Sequence, residues 1–392
     1  MSVPHNGRVF KSAGTIFIAA LFLAGCATAP RRAPNEPLPP NWPPANEVQK
    51  PKILQPPRPI APVIKTNLPP VVHPTNAVRP APVITWIPLS HWAAEHKIGA
   101  PHLLSDQPVA MYAIGSTNGV MVLEIGSREA VWNGITINLG FEPQLIDNQI
   151  FLHRLDLQRN LEPLLCDPPL KFSAERVIVI DPGHGGSNTG THSVLDGQFE
   201  KEYTLDWALR LAPLLATNGW HVFLTRTNDA DVSVDDRAAF AEAHHADLFI
   251  SLHFNSAAPN RTQAGLETYC LTPTGMASTL IRGYNDFWSD NFPNNSYDAE
   301  NLQLAVRLQA ALLRAAGLED RGVRRARFIG VLHDQHRPAV LIEGGYLSNP
   351  LEAKLIESPE FRQLLAEAIA DALRLLPKTG TSGPGTNNLS WP

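Results

Sequence analysis

Between residues 175 and 376, short apolar runs alternate with longer segments in which apolar residues recur every three or four positions. Runs of four to eight apolar residues predict buried strands, and the helical spacing predicts amphipathic helices that cover them. The predicted strands are 176–180, 220–224, 248–252, 268–271 and 339–342. The predicted helices are 201–216, 300–316, 351–356 and 361–376. A further predicted helix is capped by Asp235 or Asp236 and runs to His244. This alternation predicts an α/β fold, with a mostly parallel twisted sheet and helices on both faces.

Residues 84–168 carry shorter apolar runs that are separated by turn residues. Segments 109–114 and 119–125 predict two strands joined by a turn at 116–119. Segment 130–138 predicts a hairpin, because its central Asn-Gly pair favours the backbone of tight hairpin turns. The sequence therefore predicts a small β-rich domain that precedes the α/β region.

The first 26 residues have the pattern of a targeting signal. Basic residues precede the apolar stretch 13–23, which is too short to span a bilayer comfortably. The sequence Leu23-Ala24-Gly25-Cys26 resembles the processing box of bacterial lipoproteins, so we expect residues 1–26 to be a signal peptide and Cys26 to carry a lipid anchor. Ala27 after the cysteine favours the outer membrane, facing the periplasm. The alternative is an ordinary signal peptide cut after Ala27 or Ala29.

Roughly half of the 36 prolines lie in residues 27–83. Proline fixes φ and lacks a backbone donor, so this stretch favours extended polyproline II structure. We interpret it as a semi-rigid tether of up to ~3.1 Å per residue, with a ligand for a proline-recognising partner as the alternative. Residues 377–392 are rich in Gly, Ser, Thr and Asn and predict a disordered tail.

Composition narrows the class of protein. A hydrophobic fraction of 44% is enough for a substantial core, and a formal net charge of -5 argues against nucleic-acid binding. Besides Cys26, the chain contains only Cys166 and Cys270. They could form one disulfide in an oxidising envelope, but the sequence leaves open whether they lie close enough.

Three polar residues follow or end predicted strands. They are His184, His253 and Glu343, and a fourth, Glu200, begins a predicted helix. In open α/β sheets, ligands bind at the carboxyl ends of the strands. Two imidazoles and a carboxylate are a typical catalytic zinc set, which keeps a further position for water. The sequence therefore predicts a metal site with a nearby catalytic carboxylate.

Residues 174–376 resemble the zinc-dependent N-acetylmuramoyl-L-alanine amidases of the amidase 3 type. The motifs that carry the resemblance stand in the family's order: DPGHGG at 181–186, EKE at 200–202, SLHFN at 251–255, DRGV at 320–323 and IEGGYLSN at 342–349. The resemblance implies a six-stranded sheet. It also implies hydrolysis of the amide between N-acetylmuramic acid and the L-alanine of the peptidoglycan stem peptide.

The resemblance also assigns roles to residues. His184, Glu200 and His253 would bind one Zn²⁺, and Glu343 would act as general base and then general acid. Glu202 competes with Glu200 as a ligand. Asn255 is a candidate for orienting substrate, with a role in the turn as the alternative. For two further arginines at family positions, Arg226 and Arg237, we expect a structural ion pair.

The sequence leaves three hypotheses about function open. The first is a tethered peptidoglycan amidase, the second a non-catalytic or regulatory wall-binding lipoprotein on the same fold, and the third a zinc peptidase or deacetylase on another wall substrate. Segment 125–134 (IGSREAVWNG) weakly resembles the N-terminal domain of copper amine oxidases, so residues 84–168 predict either a glycan-binding module or a spacer. Residues 275–299 predict a loop, at a place where some relatives carry an autoinhibitory helix; whether it gates the site, and whether an activator protein is needed, stay open.

Overall fold

The computed structural model describes residues 86–281 and 286–374. The predicted signal peptide with Cys26, the proline-rich segment 27–83 and the tail 377–392 lie outside these described residues. Within the described part of the chain, no helix combines the length and the apolar character needed to cross a membrane.

Residues 86–165 form eight short strands and three short helices. The strands are β1 (Trp86–Pro88), β2 (His102–Ser105), β3 (Met111–Ser116), β4 (Gly119–Glu124), β5 (Glu129–Trp132), β6 (Ile135–Asn138), β7 (Gln144–Ile146) and β8 (Gln149–His153). The helices are α1 (Leu89–Glu95), α2 (Arg154–Asp156) and α3 (Glu162–Leu165), with a π-helical stretch at Leu157–Leu161. Strands β2 to β6 form an antiparallel meander, whereas β1, β8 and β7 form a separate three-stranded sheet.

Both hairpins predicted in this region are confirmed. β3 pairs with β4 across the turn at 117–118, and β5 pairs with β6. Asn133 and Gly134 form the second bend with φ of 47° and 84°, the left-handed values that an Asn-Gly pair tolerates.

The remaining described residues form six strands and five helices. The strands are β9 (Val177–Pro182), β10 (His221–Leu224), β11 (Leu248–Asn255), β12 (Leu266–Cys270), β13 (Asp320–Arg325) and β14 (Ala339–Tyr346). The helices are α4 (Glu200–Thr217), α5 (Val234–Ala243), α6 (Asp298–Ala316), α7 (Pro350–Glu357) and α8 (Pro359–Arg374), with short 3₁₀ helices at Pro293–Tyr297 and Gly330–Leu332. All five predicted strands are present, and β13 is additional.

These six strands lie in the order β10-β9-β11-β14-β12-β13. All neighbouring pairs are parallel except β12 and β14. Alternate residues of the central strands point into two separate apolar clusters, one with helices α4, α6 and α8 and the other with α5. The predicted α/β fold, with a mostly parallel sheet covered on both faces, is confirmed.

The sheet continues beyond β13 into the β-rich region. Strand β6 pairs in parallel with β13, so β2 to β6 extend the sheet to eleven strands. The backbone N–H of Thr136 donates to Asp320 at 2.8 Å, and the amide of Asn138 donates to the carbonyl of Val323 at 3.1 Å. At Gly322 (φ 85°), an added Cβ would lie 2.8 Å from the carbonyl oxygen of Thr136, so the close approach requires glycine. The division into domains 84–168 and 174–376 stays a prediction.

The helix ends follow local capping chemistry. Ser233 caps α5, because its hydroxyl accepts from the backbone N–H of Asp236 at 3.1 Å; the prediction that Asp235 or Asp236 caps this helix was wrong. Helix α6 ends at Gly317, whose φ of 63° is the left-handed conformation that glycine adopts readily. Helix α4 begins at Glu200 as expected, which places that carboxylate at the sheet edge.

Candidate metal centre and catalytic cleft

Three of the predicted site residues come together at the carboxyl edge of the sheet. The potential ligand atoms of His184, Glu200 and His253 all lie within 4.8 Å of one another. His184 follows β9, and His253 lies near the end of the neighbouring strand β11, so the parallel pairing places their rings 4.7 Å apart. Glu202 is exposed and lies outside this cluster. We call His184, Glu200 and His253 the metal cluster.

Glu200 is the buried centre of the metal cluster. Its Oε1 accepts from the backbone N–H of Phe254 at 3.1 Å and lies 2.9 Å from Nδ1 of His253. Its Oε2 accepts from the backbone N–H of Thr191 at 3.0 Å and lies 3.1 Å from Nε2 of His184. Burial opposes ionisation, but the hydrogen bonds with the two imidazoles outweigh it and hold the pKa of Glu200 below its usual range. The carboxylate is therefore ionised at neutral pH, as a metal ligand must be.

A loop of polar residues orients His184. Its Nδ1 lies 2.9 Å from Oδ1 of Asn188. That oxygen can accept a hydrogen bond from Nδ1, which is the tautomer that His184 needs if its Nε2 binds a metal in place of the contact with Glu200. Gly190 has a φ of 66°, and a Cβ there would lie 2.5 Å from Oε2 of Glu200 and 2.7 Å from Cδ2 of His184. Only glycine leaves room for both ligands.

Two buried arginines hold the turn that carries His184. Arg237 pairs with Asp181 and donates to the carbonyl of His184 at 2.7 Å. Arg226 donates to the carbonyls of Pro182 and Gly183 at 3.0 and 2.8 Å. The ion pair expected of Arg237 is thus present, whereas Arg226 binds backbone carbonyls instead. Both arginines fix the backbone beneath the first histidine.

Glu343 lies on β14 directly beside His253 on β11 in the strand register. It lines a cavity of about 410 Å³ together with all three residues of the metal cluster. A second cavity of about 590 Å³ begins at the two histidines and extends toward Asp231 and Ile329. The predicted catalytic carboxylate therefore faces the same cleft as the predicted ligands.

Asn255 also lines the cleft, but its side chain takes part in a buried network. Its amide donates to Glu267, and its Oδ1 accepts from the backbone N–H of Ser256 at 2.8 Å. Glu267 also accepts from the hydroxyl of Tyr346 at 2.8 Å and pairs with Arg324 at 2.8 Å. These contacts support the structural alternative for Asn255, and its substrate role stays a prediction.

Sequence analysis missed the residues that position the ligands. Asn188, Gly190 and Thr191 belong to the loop between the first two motifs, where no periodicity singles them out. The available signal was the glycine itself, in a short segment between two candidate ligands. Five other histidines match none of the ligand motifs and lie outside the metal cluster, namely His192, His244, His245, His333 and His336.

Two further predictions concern the surroundings of the site. Cys166 and Cys270 are both free, so the structure contains no bridge between them. The described residues of segment 275–299 are largely irregular, as expected, but end in the 3₁₀ helix Pro293–Tyr297 and the first turn of α6. None of its described residues lines either cavity at the metal cluster.

Comparison with known proteins agrees with this geometry. A model of the family described as N-acetylmuramoyl-L-alanine amidase matches residues 178–374, half of the chain. The chain belongs to this family. The matched region contains the whole metal cluster and Glu343.

Individual amidase relatives match over a similar length of the chain. The chain is 35% identical over 211 residues to the probable cell wall amidase LytH of Staphylococcus epidermidis, which covers 54% of this chain and 60% of that protein. It is 28% identical over 224 residues to the N-acetylmuramoyl-L-alanine amidase AmiA of Escherichia coli K12, covering 52% and 76%. The chain thus spans about three fifths of the length of the LytH relatives. An amidase structure from Clostridium difficile 630 is 30% identical and covers 51% of this chain and 96% of that one, with a TM-score of 0.42.

Proposed function

We propose that this protein is a zinc-dependent peptidoglycan amidase that cleaves the bond between N-acetylmuramic acid and the L-alanine of the stem peptide. The observation that carries the proposal is the metal cluster of His184, Glu200 and His253, with Glu343 lining the same cleft. All four residues lie inside the region matched by the amidase family.

The metal cluster fits zinc in its donor atoms. Two imidazole nitrogens and one carboxylate oxygen form the three-ligand set of catalytic zinc sites, which leave a position for water or substrate. The contact of Asn188 with His184 and the two backbone N–H donors on Glu200 supply the outer contacts that such ligands need. Zinc would supply Lewis acidity, which makes water a nucleophile near neutral pH and polarises an amide carbonyl.

The remaining steps belong to the chain itself. The cleft would hold the muramoyl amide with its carbonyl toward the metal cluster and Glu343 beside the attacking water. Glu343 takes one proton as the water oxygen bonds to the carbonyl carbon, and returns it to the alanine nitrogen as the C–N bond breaks. The products are a free lactyl carboxylate and a peptide with a new amino terminus.

Digestion of isolated peptidoglycan by the full chain tests this proposal. We expect mass spectrometry to detect peptides that begin with L-alanine, which disappear on chelation and return with zinc. Glu343→Gln should retain one equivalent of zinc and lose about 10²–10⁴-fold in turnover, whereas the exposed Glu202→Gln serves as the matched control.

The outcomes separate the alternatives. Unchanged turnover in Glu343→Gln would refute the mechanism. Zinc binding without any product would favour a wall-binding protein, and cleavage at a different bond would favour a peptidase or deacetylase.

We also propose that Cys26 anchors the protein to the outer membrane, with the proline-rich segment 27–83 as a tether on the periplasmic side. The support is the lipoprotein-like sequence before Cys26. Cys26→Ser should abolish labelling by radioactive fatty acid and release the protein from the membrane fraction. Membrane retention of the variant would contradict the anchor.

A further inference from the structure

A groove separate from the two cavities at the metal cluster lies between the β-rich region and helix α6. Its volume is about 370 Å³, within the range of small-ligand sites. The apolar part of its lining comprises Trp132, Ile135, Leu164, Leu170, Val306 and Ala310. We call it the Arg307 groove, because Arg307 and Arg314 line it as well.

Hydrogen bonds fix the walls of the Arg307 groove. The amide of Gln303 on α6 donates to the carbonyls of Pro163 and Pro168 at 2.7 and 3.1 Å. Asn118, in the turn between β3 and β4, donates to the carbonyl of Asp167 at 3.0 Å. These bonds join the β-rich region, the connection to the α/β region and α6, so the groove is a preformed feature of the fold.

The Arg307 groove carries two positive charges that form no ion pair with a carboxylate in the described part of the chain. Arg307 and Arg314 lie seven residues apart on α6, which places them on one face of the helix. In the described part of the chain, Arg307 makes a single hydrogen bond, to the carbonyl of Ala372 at 3.3 Å, and Arg314 makes none. Asp167 lines the groove but forms an ion pair with neither arginine. Burial, together with the charge of Arg314, lowers the pKa of Arg307, as expected where no carboxylate compensates the two cations.

A groove lined by two arginines and several apolar side chains suits one class of ligand. Guanidinium binds carboxylate through paired, charge-assisted hydrogen bonds. The apolar lining residues Trp132, Leu164 and Val306 would contact small apolar side chains of the ligand, such as the methyl group of alanine. A peptide with free carboxylates satisfies both features.

We propose that the Arg307 groove binds the carboxylate-bearing stem peptide of peptidoglycan, as a second, non-catalytic site. The identity of the peptide rests on the proposed function, whereas the carboxylate-binding chemistry rests on the groove. Such a site would hold the enzyme on its polymer between cleavage events, through a contact that does not involve the metal cluster.

Isothermal titration calorimetry on the full chain tests the groove. The probe is the tripeptide L-alanyl-γ-D-glutamyl-diaminopimelate, compared with the same tripeptide after its carboxylates are converted to amides. We expect binding of the acid form, a large loss with the amide form, and an affinity about tenfold weaker in Arg314→Gln. Arg154→Gln, an exposed arginine that does not line the groove, is the matched control.

Repeating the titration in the presence of a chelator distinguishes binding in the Arg307 groove from binding at the metal cluster. Binding should be equal with and without zinc, so the groove can be shown even if the full chain has no amidase activity. Loss of binding on chelation would place the peptide at the metal cluster and overturn the proposal. Equal affinity in Arg314→Gln and the control would overturn it too.

Discussion

Gly190→Ala tests whether the loop between the first two motifs sets the geometry of the metal cluster. Gly190 has a φ of 66°, and the new Cβ would lie 2.5 Å from Oε2 of Glu200. Ordinary contact begins at 3.4 Å, so the carboxylate must move by about 1 Å. Metal–ligand distances tolerate only about 0.2 Å, and Glu200 is held by the backbone N–H groups of Thr191 and Phe254.

The magnitude follows from that displacement. Changes in the contacts that orient metal ligands typically cost about 10–100-fold in metal affinity, and we expect Gly190→Ala to reach the upper end. The left-handed backbone adds roughly 1 kcal/mol of strain. Gly197→Ala imposes similar strain, because Gly197 lies in the same loop with a φ of 77°, but its Cβ would meet nothing within 4 Å.

Competition for zinc with a chromophoric chelator measures the effect. Gly190→Ala should lose more stability than Gly197→Ala in urea denaturation of the metal-free protein, because only its Cβ displaces a hydrogen-bonded carboxylate. Only Gly190→Ala should lose zinc affinity. If the two variants bound zinc within a factor of about three of each other, the packing of Gly190 against Glu200 would not control the site, and this reasoning would fail.

Two further predictions concern buried carboxylates. Asp286→Asn removes the counter-charge of the fully buried Arg327, 2.6 Å away, and should lower the free energy of unfolding by about 3 kcal/mol, as measured in urea. Asp156 is buried, and burial raises its pKa to about 6, against the hydrogen bonds from Gly140, Asn160 and Phe141. A carboxyl group with a raised pKa in the folded protein contributes its full stability at pH values below its unfolded pKa of 3.8, and this contribution is lost as the pH rises through about 6. The free energy of unfolding of the native chain, relative to that of Asp156→Asn, should therefore fall between pH 4 and 6.

Controls make both measurements decisive. The exposed Asp235→Asn should change the free energy of unfolding by less than about 0.5 kcal/mol, and an equally small effect of Asp286→Asn would exclude a stabilising role for its pair with Arg327. A stability difference between the native chain and Asp156→Asn that stayed constant from pH 4 to 6 would contradict the raised pKa of Asp156.

The sheet edge that carries the candidate site could be predicted, because the sequence patterns that specify it are local. Nearly continuous apolar runs in β9, β11 and β14 precede His184, His253 and Glu343, as expected for strands buried on both faces. Parallel pairing then brings their carboxyl ends together without further information. The helix start at Glu200 added the third ligand.

Strand β13 could not be predicted, because its sequence Asp-Arg-Gly-Val-Arg-Arg lacks an apolar run. Its arginines are accommodated by partners distant in sequence. Arg324 pairs with the buried Glu267, and Arg325 donates to Asn160 of the β-rich region. Such compensation is visible only once the chain is folded, and so is the pairing of β6 with β13.

That pairing has a practical consequence for producing the protein. Removing residues 86–168 would strip β6 from β13 and leave a strand with unpaired backbone groups at the boundary of the sheet. Unprotected strands of this kind recruit strands from other molecules. A fragment that starts at residue 174 would therefore tend to self-associate. By pairing β6 with β13, the β-rich region protects the edge of the α/β sheet from aggregation.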